Sequence, residues 1–439
     1  MMKKLQNLFI LLFSIATITL SPVLHARLNI EITGGAEGGL PIAVVPFAWE
    51  GEGAAPEQID AIIKNDLGRS GQFTPLDAER MIGTPATGNM IDFALWRQTG
   101  IDNIVVGRIQ PKGADQFVIQ FQLFDIHRAK QLSGYSIPTD RASLRQTAHQ
   151  ISDIIYEALT GMKGAFTTRI TYVMVDSIGK QRSYRLAVAD SDGFNEQIIL
   201  SSKESLMSPS WSPDGKRLAY VTFEAGHSQI YVQRLVDGQR EMVADYAGLN
   251  SAPAWSPDGK QLALTLSKDG NAEIYILTLA TKKLVRVSRS NGIDTEATWR
   301  PDGKGLVFTS DRSGKPQLYS VVIERGKPKG RAKRLTFEGR YNVRAAFSPD
   351  GKQVAMIHLD MGGYRIAVLE LDSGNLRVLT DTTLDESPSF AANGSMIIYA
   401  TDVGGRGVLS AVSADGRAHQ RLQLNEGDVR EPAWSPYLQ

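Results

Sequence analysis

One feature constrains this chain more than any other: a short motif recurs along its second half. Residues 209–220 read PSWSPDGKRLAY and residues 253–264 read PAWSPDGKQLAL. ATWRPDGKGLVF (297–308), AAFSPDGKQVAM (345–356) and PSFAANGSMIIY (388–399) follow, and PAWSP (432–436) lies close to the last residue. The aromatic anchors Trp211, Trp255, Trp299, Phe347, Phe390 and Trp434 are spaced 44, 44, 48, 43 and 44 residues apart. A period near 44 with several short strands per unit is that of one four-stranded propeller blade.

Each unit reads strand by strand. In the second, strand A ends at Trp255 and Ser256-Pro257-Asp258-Gly259 makes the turn. Proline fixes φ there, aspartate caps the turn locally, and glycine takes the left-handed position. Strands B, C and D follow at Gln261 to Leu266, Glu273 to Leu279 and Leu284 to Val287, with the alternation of half-buried antiparallel strands. The first B–C–D set, beginning near Arg169, has no A strand before it. The last A strand, Glu431 to Ser435, has no B–C–D set after it. Joining them closes the ring and removes open edges. The expected fold is an all-β six-bladed β-propeller over 169–439, closed by the strand 431–435 and preceded by a small α/β domain.

The α/β domain is expected over 41–160. PIAVVPF (41–47) reads as a buried strand, and Pro56 to Ser70 as a helix with Ile59, Ile62, Ile63 and Leu67 on one face. Strands follow at Ile101 to Ile109, Phe117 to Ile126 and Gln131 to Ile137. A second helix, begun by Thr139-Asp140, carries Leu144, Ala148, Ile151, Ile155 and Leu159 and stops at Gly161. Residues 161–168 form the linker.

The N-terminus reads as an address. A basic start (Lys3, Lys4), an apolar run from Leu8 to Leu20 and a break ending at Ala26 have the layout of a secretory signal peptide over 1–26. The run is shorter than the ~20 residues a bilayer span needs. The segment 27–40 begins with an alternating strand, Arg27 to Thr33, and continues into four glycines between Gly34 and Gly39. A strand on such a tether can add to a sheet edge of its own domain or of a partner.

The sequence carries few motifs of catalytic or metal chemistry. With no cysteine, disulfides, thiol nucleophiles and cysteine-ligated metals are excluded. The six histidines have no ligand spacing, and G-x-S-x-G and phosphate-loop motifs are missing. Asp214, Asp258, Asp302 and Asp350 occupy the same turn in different blades, so they read as turn formers rather than a metal or catalytic cluster. The aromatic anchors read as inter-blade core. Forty-eight basic against 47 acidic side chains leave +1, so no global field draws the chain to nucleic acid or anionic lipid, although a local patch stays open.

Topology is more informative. The SPDG turns and C-to-D loops share one face, and the linker enters at that end, so the α/β domain should dock there. The D-to-A and B-to-C loops share the other face, which stays open. Its loops include Asp294, Glu296, Asp385 and Glu386. Such a mouth favours a basic or amide-rich partner, or a divalent cation such as Ca2+ in the channel. No cofactor is required.

These residues carry a resemblance. PIAVVPFAWEG (41–51), LTGMKGAFTTRITYV (159–173), LMSPSWSPDGKRLAYVTFE (206–224), LDESPSF (384–390) and PAWSPYLQ (432–439) resemble the TolB family, periplasmic components of Tol–Pal systems. The resemblance implies a non-enzymatic adaptor that supports outer-membrane integrity and envelope constriction in cell division. It implies binding of the lipoprotein Pal on the D-to-A loops, at Leu206, Met207, Leu249, Asn250, Thr295, Asp385 and Glu386. It implies binding of TolA through Arg27, Leu28, Asn29, Ile30, Glu31, Ile32 and Thr33. Other outer-membrane proteins and bacteriocins are further partners of the family; nucleic acid and membrane insertion are not implied. The alternatives are a propeller hydrolase or lyase with carboxylates at the channel mouth, and a cell-wall glycan lectin, for which Tyr341 is the aromatic candidate.

Overall fold

The computed structural model describes residues 29–34, 38–179, 181–423 and 427–438. The expected signal peptide, with Arg27 and Leu28, lies outside the described residues. Among the described residues no helix is long and apolar enough to cross a membrane.

The α/β unit is built on strand β2 (Leu40–Val44), whose Ile42 and Ala43 are fully enclosed. Buried on both faces, it runs parallel to its neighbours β4 (Phe73–Pro75) and β5 (Asn103–Pro111), with β3 (Ala48–Trp49) also on β5. Strands β6 (Gln116–Asp125) and β7 (Lys130–Asp140) extend the sheet as an antiparallel meander. Helices α1 (Ile59–Arg69) and α3 (Leu144–Thr160) pack on the core with the predicted apolar stripes. The short helix α2 (Phe93–Arg97) joins a second, smaller core.

Helix ends follow local chemistry. Asp140 accepts a hydrogen bond from Ser143 N–H at 2.9 Å in the turn that leads into α3, and Gly161 ends the helix at φ 75°. Helix α1 starts three residues later than Pro56. Asp60 of its first turn accepts the Phe47 N–H at 3.3 Å, tying the helix to the strand region beside it.

The propeller has six blades, numbered here from the closure. Blade 1 pairs the C-terminal strand Asp428–Trp434 with Arg169–Ile178, followed by Gln181–Asp190 and Gln197–Ser202. The A strands of blades 2 to 6 are Leu206–Trp211, Asn250–Trp255, Asp294–Trp299, Asn342–Phe347 and Asp385–Phe390. All six share a local irregularity. Ser208, Ala252, Glu296, Arg344, Ser387 and Glu431 adopt left-handed φ between 48° and 57°, where the pairing with strand B slips. Proline follows in four of the six, at a bulge where no ladder N–H is needed.

Strand β1 (Asn29–Gly34) pairs antiparallel with His419–Gln423, the outer strand of blade 6, with Ile30 opposite Leu422. It is therefore a fifth strand of the propeller blade and not an edge of the α/β sheet. Both edges of β2, the strand that follows it, are already occupied by β4 and β5. The outer strand of a blade offers an unpaired edge.

The α/β unit packs on the face carrying the SPDG turns and C-to-D loops. Arg69 donates to Ser191 O and Oγ at 3.1 and 2.8 Å, and Asn393 Nδ2 donates to Lys163 O at 3.1 Å. A buried ion network sits at this junction. His149 Nδ1 lies 2.7 Å from Asp66 and its Nε2 3.4 Å from Asp192, while Arg69 and Arg145 pair with the same two carboxylates.

Candidate partner-binding face

The turn aspartates do structural work. Asp214, Asp258 and Asp350 each accept a hydrogen bond from the serine two residues earlier and from the lysine N–H two residues later, at 2.9 to 3.1 Å for the latter type across the repeats. Partial burial works against ionisation, yet these bonds hold the three carboxyls below their ordinary range. Four of the six aromatic anchors, Trp211, Trp255, Trp299 and Phe390, are buried, and Phe347 and Trp434 are half-buried. Trp255 Nε1–H donates to Ser210 O of the preceding blade at 3.1 Å, and Trp211 donates to Ala433 O across the closure at 3.1 Å.

With the α/β unit on one face, the D-to-A face is left open. The residues predicted there divide into two groups. Met207 and Leu249 are presented to solvent, at 40% and 39% exposure. Thr295 is half-buried, its Oγ1 3.3 Å from Thr265 Oγ1 of the neighbouring blade. The others are internal. Leu206 is packed in the core between blades 1 and 2. Asn250 is buried, accepting from Tyr246 N–H at 2.9 Å and donating to Tyr246 O at 2.7 Å, so it closes its own loop. Asp385 is 1% exposed and accepts from Thr380 and Thr382 hydroxyls. Leu206, Asn250 and Asp385 therefore present almost no surface of their own in this conformation. The first A-strand residue points inward to build the loop, which a reading of loop composition takes for rim polarity.

The acidic residues of the mouth are also partly internal. Asp294 is buried against Arg312, 2.7 Å from its Nη2. At the channel centre, the left-handed residues bring Glu296, Arg344 and Glu431 to one height in the ring. Arg344 forms an ion pair with Glu431, and its Nη1 lies 4.0 Å from Glu296. Burial alone would favour the neutral guanidine, but the adjacent carboxylates keep Arg344 firmly cationic. Glu386 faces the same centre. Burial first and Glu431 second raise its carboxyl above the ordinary range. The acidic mouth thus carries a guanidinium of its own among these carboxylates. Below it the channel widens into a cavity of about 470 Å³ lined by Trp211, Trp255, Trp299 and the turn prolines.

Sequence reasoning missed Arg344 and an apolar ring. Aligning the repeats on their aromatic anchors places Arg344 level with Glu296 and Glu431, a signal that was available. The residue just before the A strand is Leu249 in blade 3, Ile293 in blade 4, Tyr341 in blade 5 and Leu384 in blade 6. Leu249, Ile293 and Leu384 are exposed. Tyr341 stands edge-on against Tyr364, ring centres 5.3 Å apart, rather than offering a flat stacking face. Met207 of blade 2 extends this crescent around the mouth. Of the segment expected to meet TolA, Asn29, Ile30, Glu31, Ile32 and Thr33 lie in β1, held on blade 6.

Among the described residues, Asp66, His149 and Asp192 are close enough to share a metal ion. Arg69 and Arg145 already neutralise the two carboxylates, so the group serves as an inter-domain ion network.

Comparison with known proteins agrees with this architecture. Residues 28–132 match the model of the TolB amino-terminal domain, and residues 156–438 match that of the TolB beta propeller domain. The Tol-Pal system protein TolB of Thioalkalivibrio sulfidiphilus is 57% identical, over 94% of this chain and 95% of that protein. Its namesake in Xanthomonas campestris pv. campestris is 54% identical, over 93% of each. The crystal structure of TolB from Acinetobacter baumannii superposes with a TM-score of 0.86 at 41% identity, covering 93% of this chain and all of that one. The chain belongs to the TolB family of Tol-Pal system proteins.

Proposed function

We propose that this chain is a periplasmic adaptor that binds the lipoprotein Pal on its open propeller face and TolA through its N-terminal strand, in support of outer-membrane integrity and division. The observation that carries this reading is the apolar crescent of Met207, Leu249, Ile293 and Leu384 on the face that the α/β unit leaves uncovered. Exposed apolar side chains grouped on one face suit a protein partner. The relatives' name places them in a system with Pal. Thr295 and Glu386 lie at the inner rim, where they would meet whatever enters the mouth.

Strand β1 supplies a switch. While paired with blade 6 one edge of its backbone is occupied and the strand is held to its own propeller; released, it can enter a partner's sheet with both edges free. Pal binding would bias that equilibrium, with a coupling typically of about 1–3 kcal/mol. Hydrogen exchange of the chain with and without Pal from the same bacterium tests both parts. The expected result is new protection in the D-to-A loops and altered protection over 29–34. Protection on the SPDG turns, with the open face unchanged, would place the partner elsewhere.

A further inference from the structure

The outer hairpin of blade 4 stands apart from the rest of the molecule. Its strands are Gln317–Glu324 and Lys327–Arg334, the latter reading KPKGRAKR. Between residues 324 and 334 lie six basic side chains and one acidic, in a chain whose total charge is +1. The Arg325–Gly326 turn takes left-handed φ of 50° and 70°, which closes a tight hairpin. The register sets Lys327, Lys329 and Lys333 opposite Glu324, Val322 and Ser320. That face looks outward: Val322 is 53% exposed, while Val321 and Ile323 are buried. Lys329 pairs with Glu324 at 2.8 Å. Among the described residues, Arg325, Lys327, Arg331 and Lys333 make no ion pair.

Protection of an open sheet edge explains one or two lysines. The outer strands of the other five blades carry at most two basic side chains: none in Gln197–Ser202, one in Arg240–Ala244, two in Lys283–Arg286, one in Leu376–Val378 and one in His419–Gln423, which β1 covers. Five in one strand exceeds what edge protection requires.

We infer that this hairpin is a peripheral docking surface for a bilayer carrying anionic phospholipid headgroups. Four unpaired cations lie along the turn and outer strand of a hairpin whose outward face exposes one valine. That suits headgroups that rearrange under a cationic surface, with a single apolar side chain reaching their boundary. An acidic protein partner would call for a shaped complement, such as a cleft or several apolar anchors, and this face has neither. The position also fits. Blade 4 lies across the ring from blade 1, where the α/β unit is anchored, and the hairpin tip is on the side away from the D-to-A mouth. Docking here leaves the open face free.

The test is co-sedimentation of the chain from Arg27 onward with vesicles of phosphatidylcholine alone or mixed with phosphatidylglycerol. It is run at about 0.1 M and about 1 M salt, where the screening length falls from about 10 Å to about 3 Å. The Lys327→Gln, Arg331→Gln, Lys333→Gln variant is compared with Lys216→Gln, Lys260→Gln, Lys352→Gln, which removes equal charge from exposed turn lysines. Binding to the mixed vesicles only, lost at high salt, is expected. Each cation near such a surface contributes about five-fold, so the hairpin variant should bind on the order of 100-fold more weakly and the turn variant only a few-fold. Failure of the unaltered chain to bind, equal binding to neutral vesicles, or equal loss in both variants would overturn the inference. Stronger retention on soluble polyglutamate than on vesicles would do so too, in favour of an acidic protein.

Discussion

Arg344 shows how one side chain settles the chemistry of the mouth. Its backbone φ of 55° turns it into the channel, where Glu431, Glu296 and Glu386 surround it. The same arrangement of carboxylates without the guanidinium would resemble the acidic sites of propeller hydrolases. With it, Glu431 is held in an ion pair and Glu296 accepts from Thr309 Oγ1 at 3.2 Å. Replacing Arg344 with alanine leaves the carboxylates facing each other. The expected cost is about 3 kcal/mol, at the low end for a broken buried pair because channel water still reaches part of the side chain. Urea unfolding measures it; a loss below about 0.5 kcal/mol, the range of ordinary surface substitutions, would show that the network does not hold the ring centre.

At the level of elements, the propeller was legible because each blade repeats its own instructions. The SPDG turn writes its hydrogen bonds into the sequence: the serine hydroxyl and the lysine N–H both donate to the aspartate carboxylate. Ring closure was legible for the same reason, since an orphan A strand at one end met an orphan B–C–D set at the other. Removing residues 428–439 should therefore lower the thermal midpoint sharply, because blade 1 loses its inner strand and the ring its seam. Calorimetry on the truncated chain checks this; an unaltered transition would mean that closure is dispensable. The site was less legible. Asp385 and Asn250 look like rim residues in a loop-rich stretch, yet the bulged A strand turns them inward onto their own loops. Strand β1 carried its alternation plainly, but its partner edge lies near residue 420, and no local pattern encodes a pairing that distant.

At the scale of the whole molecule, the two domains are coupled through His149. Burial would depress its pKa, but Asp66, by charge and hydrogen bond, and then Asp192 raise it above the ordinary imidazole value, Arg69 opposing. A folded pKa above the unfolded one gives stability that is complete below about pH 6.5 and fades as pH rises through the folded value. The thermal midpoint should fall between about pH 6 and pH 9, and His149→Asn should start lower and lose most of that slope. A variant that keeps the full slope would move the effect to other groups. The same geometry divides the molecule's labour: one propeller face is spent on the α/β unit, the other is open. The most direct test is calorimetric titration of the chain from Arg27 onward with Pal from its own bacterium, alongside a Met207→Glu, Leu249→Glu variant on the exposed crescent. Tight binding that is lost in a variant of unchanged melting temperature is the predicted result. Absence of binding by the folded chain, or equal affinity in the variant, would contradict the assignment of the open face to Pal.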